Sequence, residues 1–207
     1  MEKNNYLEDL SEIRNLMNRS SRFISLSGIS GILAGVYALI GAAIAFFRLN
    51  YYQTMPGVSN AYKQKYPELV MELGIIGLTV ALLAIVTGIW FTSRKAIRNK
   101  ESAWNASSRR LLLNFLIPLV TGGIFVILMV INRNTNIIAP SMLIFYGLAC
   151  VNASKYTLGD IRYLGIANII TGLIATSFGG YGLYFWALGF GVFHIFYGLL
   201  MYYKYER

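Results

Sequence analysis

Two nearly unbroken apolar stretches, residues 73–91 and 111–131, flank a polar segment at 93–110. That segment carries Arg94, Lys95, Arg98, Lys100, Arg109 and Arg110 against a single acid, Glu101. Each apolar stretch is long enough, as a helix rising 1.5 Å per residue, to cross a hydrocarbon core of ~30 Å. A basic segment between two spans is retained on the cytoplasmic side, so it sets the orientation of every other span. Only 13% of the 207 residues are charged and 56% are hydrophobic, whereas soluble domains carry about 25% charged residues. The fold class that follows is all-α, a polytopic integral membrane protein.

Four further apolar stretches complete six predicted spans, at 23–47, 73–91, 111–131, 137–151, 161–177 and 181–203, in one transmembrane domain over 23–207. The polar stretch 48–71, with Tyr51, Tyr52, Tyr62 and Tyr66, reads as a loop at the headgroup level. Pro118 lies inside the third span, where it removes an amide donor and frees a carbonyl that a neighbour must satisfy. Gly179 and Gly180 mark the turn before the last span. Ahead of the first span, Tyr6, Leu10, Ile13 and Met17 fall on one stripe of a predicted amphipathic helix over 1–22. Asn5 and Glu8 have the spacing of a capping box at its start. The helix lies on the membrane surface, against the protein's own basic loop or against a partner.

Charge supports the span count. With a cytoplasmic N-terminus, Lys3, Arg14, Arg19, Arg22, the six basic residues of 93–110, Lys155, Arg162, Lys204 and Arg207 fall inside. Only Arg48, Lys63, Lys65 and Arg133 fall outside. That asymmetry places both termini in the cytoplasm. The net charge of +9 is topogenic on this reading and does not indicate nucleic-acid binding. The apolar run of the first span and the acids before it exclude a cleavable leader, which suits a bacterial inner (plasma) membrane.

The spans also echo one another. Ile29-Ser30-Gly31, Val120-Thr121-Gly122 and Ile170-Thr171-Gly172 occupy similar places in the odd spans. Phe145-Tyr146-Gly147-Leu148 recurs as Phe196-Tyr197-Gly198-Leu199 in the even ones, with Val86-Thr87-Gly88-Ile89 in the second. Two readings stand: three repeated hairpins whose small residues let backbones approach closely, or the matches that any membrane protein rich in Gly, Ile and Thr produces. Small hairpin-built membrane proteins of the HdeD-like acid-stress kind resemble this arrangement in architecture and glycine usage, with no shared motif.

Ionisable groups inside a membrane are functional candidates by default, and His194, the only histidine, falls near mid-membrane. A neutral imidazole bonded to a hydroxyl or backbone carbonyl is the competing reading. Asn114 and Asn168, near the cytoplasmic face, either line a polar vestibule or hold helices together. Glu72, four residues after Glu68 at the outer surface, either draws cations to a pore or starts a solvated helix. Asn105 and Asn152 each open an Asn-Ala-Ser glycosylation pattern, discounted because both face the cytoplasm. One cysteine, Cys150, and one histidine exclude an intrachain disulfide, a cysteine zinc cluster and bis-histidine haem.

No Walker loop, GxSxG elbow, HExxH or dinucleotide fingerprint is present, so the chain reads as a non-enzyme without cofactor or metal. The leading expectation is a small integral membrane protein acting as an accessory or membrane-stress factor. The bilayer is its partner, together with a second copy or a membrane or cytoplasmic protein engaged through 1–22 and 93–110. The alternative is a small-molecule or ion transporter or channel, with a path through His194, Asn114, Asn168 and Glu72.

Overall fold

A computed structural model describes residues 27–54, 58–99 and 104–207. Every regular element among them is helical. In chain order these are α1 (Gly28–Thr54), α2 (Val58–Arg98), α3 (Ala106–Ile131), a 3₁₀ turn (Thr135–Ile137), α4 (Ile138–Ala153), α5 (Ile161–Thr176) and α6 (Gly182–Tyr205). Within α6, Ala187–Val192 is wound as π-helix. Five of the helices are long and apolar enough to cross a membrane, and α5 is an apolar helix of 16 residues. The predicted interfacial helix at 1–22 and the start of the first span lie outside the described residues.

Two predicted loops are corrected. The stretch 48–71 is helical over its described part, since α1 runs on to Thr54 and α2 begins at Val58 and continues through Pro67. The extensions are tied together: the Arg48 guanidinium donates to both carboxylate oxygens of Glu72, Nε to Oε2 at 2.8 Å. Tyr52 adds a bond to Glu72 Oε1 at 3.3 Å. Polarity ends a span but does not end a helix, and a bidentate arginine–carboxylate pair is strong enough to hold one beyond the bilayer. The basic segment 93–110 is helical at 93–98 and again at 106–110 among its described residues. Lys95 and Arg98 sit in the last turn of α2, where cations complement the helix dipole. Asn105 caps α3, its side chain accepting from the Ser108 amide while Ser108 Oγ accepts from the Asn105 amide. The chain turns into α6 through Gly180, whose φ of 87° suits glycine.

Glycines bring the central helices together in two contacts built alike. Between α1 and α6, a Cβ on Gly35 would lie 2.6–2.9 Å from the Gly191 carbonyl, Ile195 Cγ1 and the Ile195 amide. Between α4 and α5, a Cβ on Gly172 would lie 2.7–3.1 Å from the Pro140 carbonyl, Ile144 Cγ1 and the Ile144 amide. The correspondence continues one turn further on. A Cβ on Gly198 would meet the Ile32 amide and the Gly28 carbonyl at 2.5 and 2.7 Å, and one on Gly147 would meet the Ile169 amide and the Gly165 carbonyl at 2.9 and 2.5 Å. Gly28, Ile32 and Gly35 therefore do in α1 what Gly165, Ile169 and Gly172 do in α5. The even helices match in the register that Phe145–Leu148 and Phe196–Leu199 suggested. The odd ones match one helical turn away from the sequence alignment, with Gly35, not Gly31, opposite Gly172.

The bundle is completed by α2 packing on α1 and α3 on α4. The freed carbonyl at Pro118 is that of Asn114, and Asn152 of α4 donates to it at 2.8 Å. By contrast α2 and α3, consecutive in the chain, scarcely touch. Glu206, at the end of α6, accepts from the Gly28 amide (2.7 Å) and pairs with Lys95 of α2 (3.1 Å), so the start of α1 and the end of α6 meet at the basic end.

Candidate functional site: a cavity among six helices

Where α2 and α3 stand apart, a cavity of about 570 Å³ runs into the bundle. That lies within the ~300–1,000 Å³ of small-molecule sites. All six helices line it, and its lining is overwhelmingly apolar: Ala34 and Ala38 of α1, Gly77 and Ala81 of α2, Leu119 and Gly123 of α3, and Leu164 of α5. Small residues on α1 and α2 create the space, because a bilayer-facing helix with alanine or glycine there presents no bulk to fill it. It is also elongated. Its lining spans Ser27 to Ala38 on α1 and Phe115 to Val126 on α3, each about 16 Å along the axis at 1.5 Å per residue. Gly77 and Gly123 both line it, and an added Cβ on either would meet nothing within 4 Å. Its side wall is therefore open between α2 and α3, toward the surface that lipid would cover.

The opposite wall is aromatic. Trp186, Phe190 and His194 follow one another along α6. Trp186 and Phe190 have ring centroids 5.2 Å apart, and Phe190 stacks on His194 at 6.0 Å. Tyr146 of α4 packs against Phe190 (5.1 Å), His194 (5.2 Å) and, edge-on, Phe115 of α3 (6.0 Å). The π-helical turn precedes His194, and such turns recur at functional sites because they re-aim side chains.

His194 itself is 8% exposed and fully bonded. Its Nδ1 lies 2.9 Å from the Gly189 carbonyl and its Nε2 2.6 Å from the Tyr146 hydroxyl. A carbonyl only accepts, so Nδ1 carries the proton, and a neutral ring then accepts the Tyr146 hydroxyl at Nε2. No acid among the described residues lines the cavity. Asn168 stands on the other side of the same π turn, wholly buried. Its Nδ2 donates to the Leu164 carbonyl at 2.9 Å, while Oδ1 has no hydrogen-bond partner among the described residues. A Cβ on Gly189 would lie 2.5 Å from that Oδ1, so only glycine lets the α6 backbone pass over the amide.

The four sequence candidates thus occupy separate places. His194 lines the cavity and Asn168 lies behind it, with Gly189 between them. Asn114 is at the basic end, its Nδ2 bonded to the Arg110 carbonyl at 2.8 Å. Glu72 is held by Arg48 at the far end. Sequence reasoning missed the larger part of the site. Tyr146, Phe190 and Trp186 went unweighed, although the four-residue spacing of Trp186, Phe190 and His194 was a readable signal of one helix face.

A second cavity, about 680 Å³, opens at the basic end. Arg94, Lys95 and Arg98 of α2 line it together with Tyr202, Tyr205 and Glu206 of α6 and Ser27 and Ile29 of α1. Lys95 is engaged with Glu206, and Arg94 lies over the Trp90 ring at 5.4 Å. Arg94 and Arg98 form no ion pair among the described residues. Beside the cleft, Lys204 Nζ reaches both oxygens of Asp160 at 2.9 and 3.2 Å, and Tyr205 donates to Asp160 at 2.7 Å. The hydrogen bond from Lys204 holds the Asp160 carboxyl below its ordinary value. Ser27 lines both cavities, which makes them neighbours at the start of α1. No set of three His, Cys, Asp or Glu side chains gathers as a metal site among the described residues.

No protein-family model matches the chain, and neither a curated protein nor a solved structure does.

Proposed function

We propose that the protein is a non-enzymatic, six-span protein of a bacterial inner membrane that takes an apolar chain from the bilayer into its central cavity. Both ends of the chain lie on the cytoplasmic side in this reading, with α5 as the short sixth span. The observation that carries it is the seam between α2 and α3: the cavity opens toward lipid through a wall of small residues. An accessory or membrane-stress role then acts through what this cavity holds.

The alternative of an ion or polar-solute path has less behind it. Its candidate residues do not converge on one lumen: Asn114 and Asn168 bond back to carbonyls of their own helices, while His194 and Glu72 bond to a neighbouring helix. The apolar lining offers a hydrated ion nothing to replace its water.

Photo-crosslinking with a lipid carrying a diazirine on its acyl chain tests the reading. Adducts are expected inside the cavity, at Ala81, Leu119 and Phe190, as well as on the outer surface. Adducts confined to outward residues such as Leu82, Ile89 and Ile117 would reject it.

A further inference from the structure

The two cavities differ in chemistry and meet at Ser27. One is long, largely apolar and open to the side; the other has a mixed lining that includes the guanidiniums of Arg94 and Arg98. An alkyl chain suits the first, because most of the groups it would touch are methyl, methylene or aromatic faces. An anion suits the second, because two guanidiniums stand there without carboxylate partners among the described residues. The two fit a single molecule only if its charge is at one end of its chain.

We infer that the ligand is an anionic lipid of the bilayer, its phosphate held by Arg94 and Arg98 and one acyl chain threaded past Ser27 into the central cavity. This rests on the proposed chain-binding function and adds the headgroup. Arginine is suited to the task, since its planar fork meets phosphate oxygens two at a time. Lys95 is not free to do the same, as Glu206 occupies it. Its pairing also fixes the end of α2 against α1 and α6, which holds Arg94 and Arg98 over the mouth of the cleft. The aromatic wall of Trp186, Phe190 and Tyr146 gives the chain a rigid surface to lie along, which limits the conformational entropy lost on binding.

The test titrates the purified full chain in micelles with phosphatidylglycerol and with phosphatidylcholine of the same acyl chains, reading bound lipid by native mass spectrometry. The wild type is expected to prefer phosphatidylglycerol by about tenfold. Arg94→Gln with Arg98→Gln should abolish the preference, the loss falling mainly on phosphatidylglycerol because the choline cation of phosphatidylcholine already offsets its phosphate, whereas Arg94→Lys with Arg98→Lys should retain most of it. Ala81→Phe, which sets a ring in the path of the chain, should remove binding of both lipids.

Equal binding of the two lipids by the wild type would overturn the headgroup assignment and leave chain binding standing. A preference that persists in Ala81→Phe would overturn it too, by reducing the site to surface adsorption. Displacement of phosphatidylglycerol by glycerol phosphate alone would make it a site for soluble anions, and the inference would fall. Binding of both lipids untouched by Ala81→Phe would remove the chain-binding function itself.

Discussion

The α1/α6 and α4/α5 contacts are closed by glycine, and the seam between α2 and α3 is open. In the first two, backbones approach until no Cβ fits at Gly28, Gly35, Gly147, Gly165, Gly172 or Gly198. In lipid such contacts are held by van der Waals packing, because apolar side chains gain nothing by leaving a hydrocarbon solvent. At the seam the same residue type serves the opposite end. Gly77 and Gly123 have open space around their missing Cβ. A glycine in a membrane helix is thus evidence of a gap in the side-chain layer, and what fills the gap depends on the partner helix.

The sharpest way to break this comparison is to add bulk on each side of it. Gly147→Leu or Gly198→Leu should destabilise the bundle by about 3 kcal/mol or more, since backbone carbonyls and amides stand where the side chain must go. Gly77→Leu should stay within about 0.5 kcal/mol of wild type. Equal losses in detergent unfolding followed by circular dichroism would mean that α2 and α3 pack as the other pairs do.

The next test concerns the wall of the cavity, where the repeat departs from itself. His194 of α6 stands where Leu143 stands in α4, both buried. Tyr146→Phe strands the His194 Nε2 and should cost about 1–3 kcal/mol. Adding His194→Leu removes the stranded acceptor, and most of that loss should be recovered. A double variant worse than the single one would show that the imidazole stabilises the π turn through Gly189 alone.

A smaller effect is expected at Pro118. Asn152→Ala leaves the Asn114 carbonyl without a donor, a loss of about 1 kcal/mol. In a Pro118→Leu background the backbone amide returns, and Asn152→Ala should become neutral. Persistence of the loss would mean that Asn152 acts through some other contact.

The least effect belongs to the clasp between Asp160 and Lys204. The folded carboxyl is held below its ordinary value, so the unfolded chain binds its proton first as the pH falls. The clasp therefore contributes fully above the ordinary carboxylate range and is lost only as the pH drops through the lowered folded value. Between pH 5 and 8, Asp160→Asn should lower the melting temperature by a constant small amount. A dependence on pH in that window would contradict the assignment.

The helices and their order were legible in the sequence because twenty-residue apolar runs have few alternatives. Their ends were not. Arg48 and Tyr52 read as loop residues and Glu72 as a helix start, yet the three bind across helices and carry the helical backbone onward. The unsatisfied carbonyl at Pro118 was legible, since it follows from covalent structure alone; its donor, Asn152, lies on another helix. The correspondence between α4 and α6 was visible through Phe-Tyr-Gly-Leu, but that between α1 and α5 was hidden by several glycines one turn apart. The cavity was illegible because it depends on α2 and α3, neighbours in the chain, standing apart. Of the four candidate residues only His194 lines it, and its two bonds had to be seen in three dimensions.

The central claim is that a lipid chain reaches the aromatic wall through the seam. With Trp90→Phe and Trp104→Phe, Trp186 becomes the sole tryptophan, and its fluorescence in vesicles of acyl-brominated lipid reports contact with the chain. The account expects strong quenching that falls severalfold when Ala81→Phe obstructs the cavity. Quenching that is absent, or that Ala81→Phe leaves unchanged, would mean that no chain enters, and the cavity would lose its role.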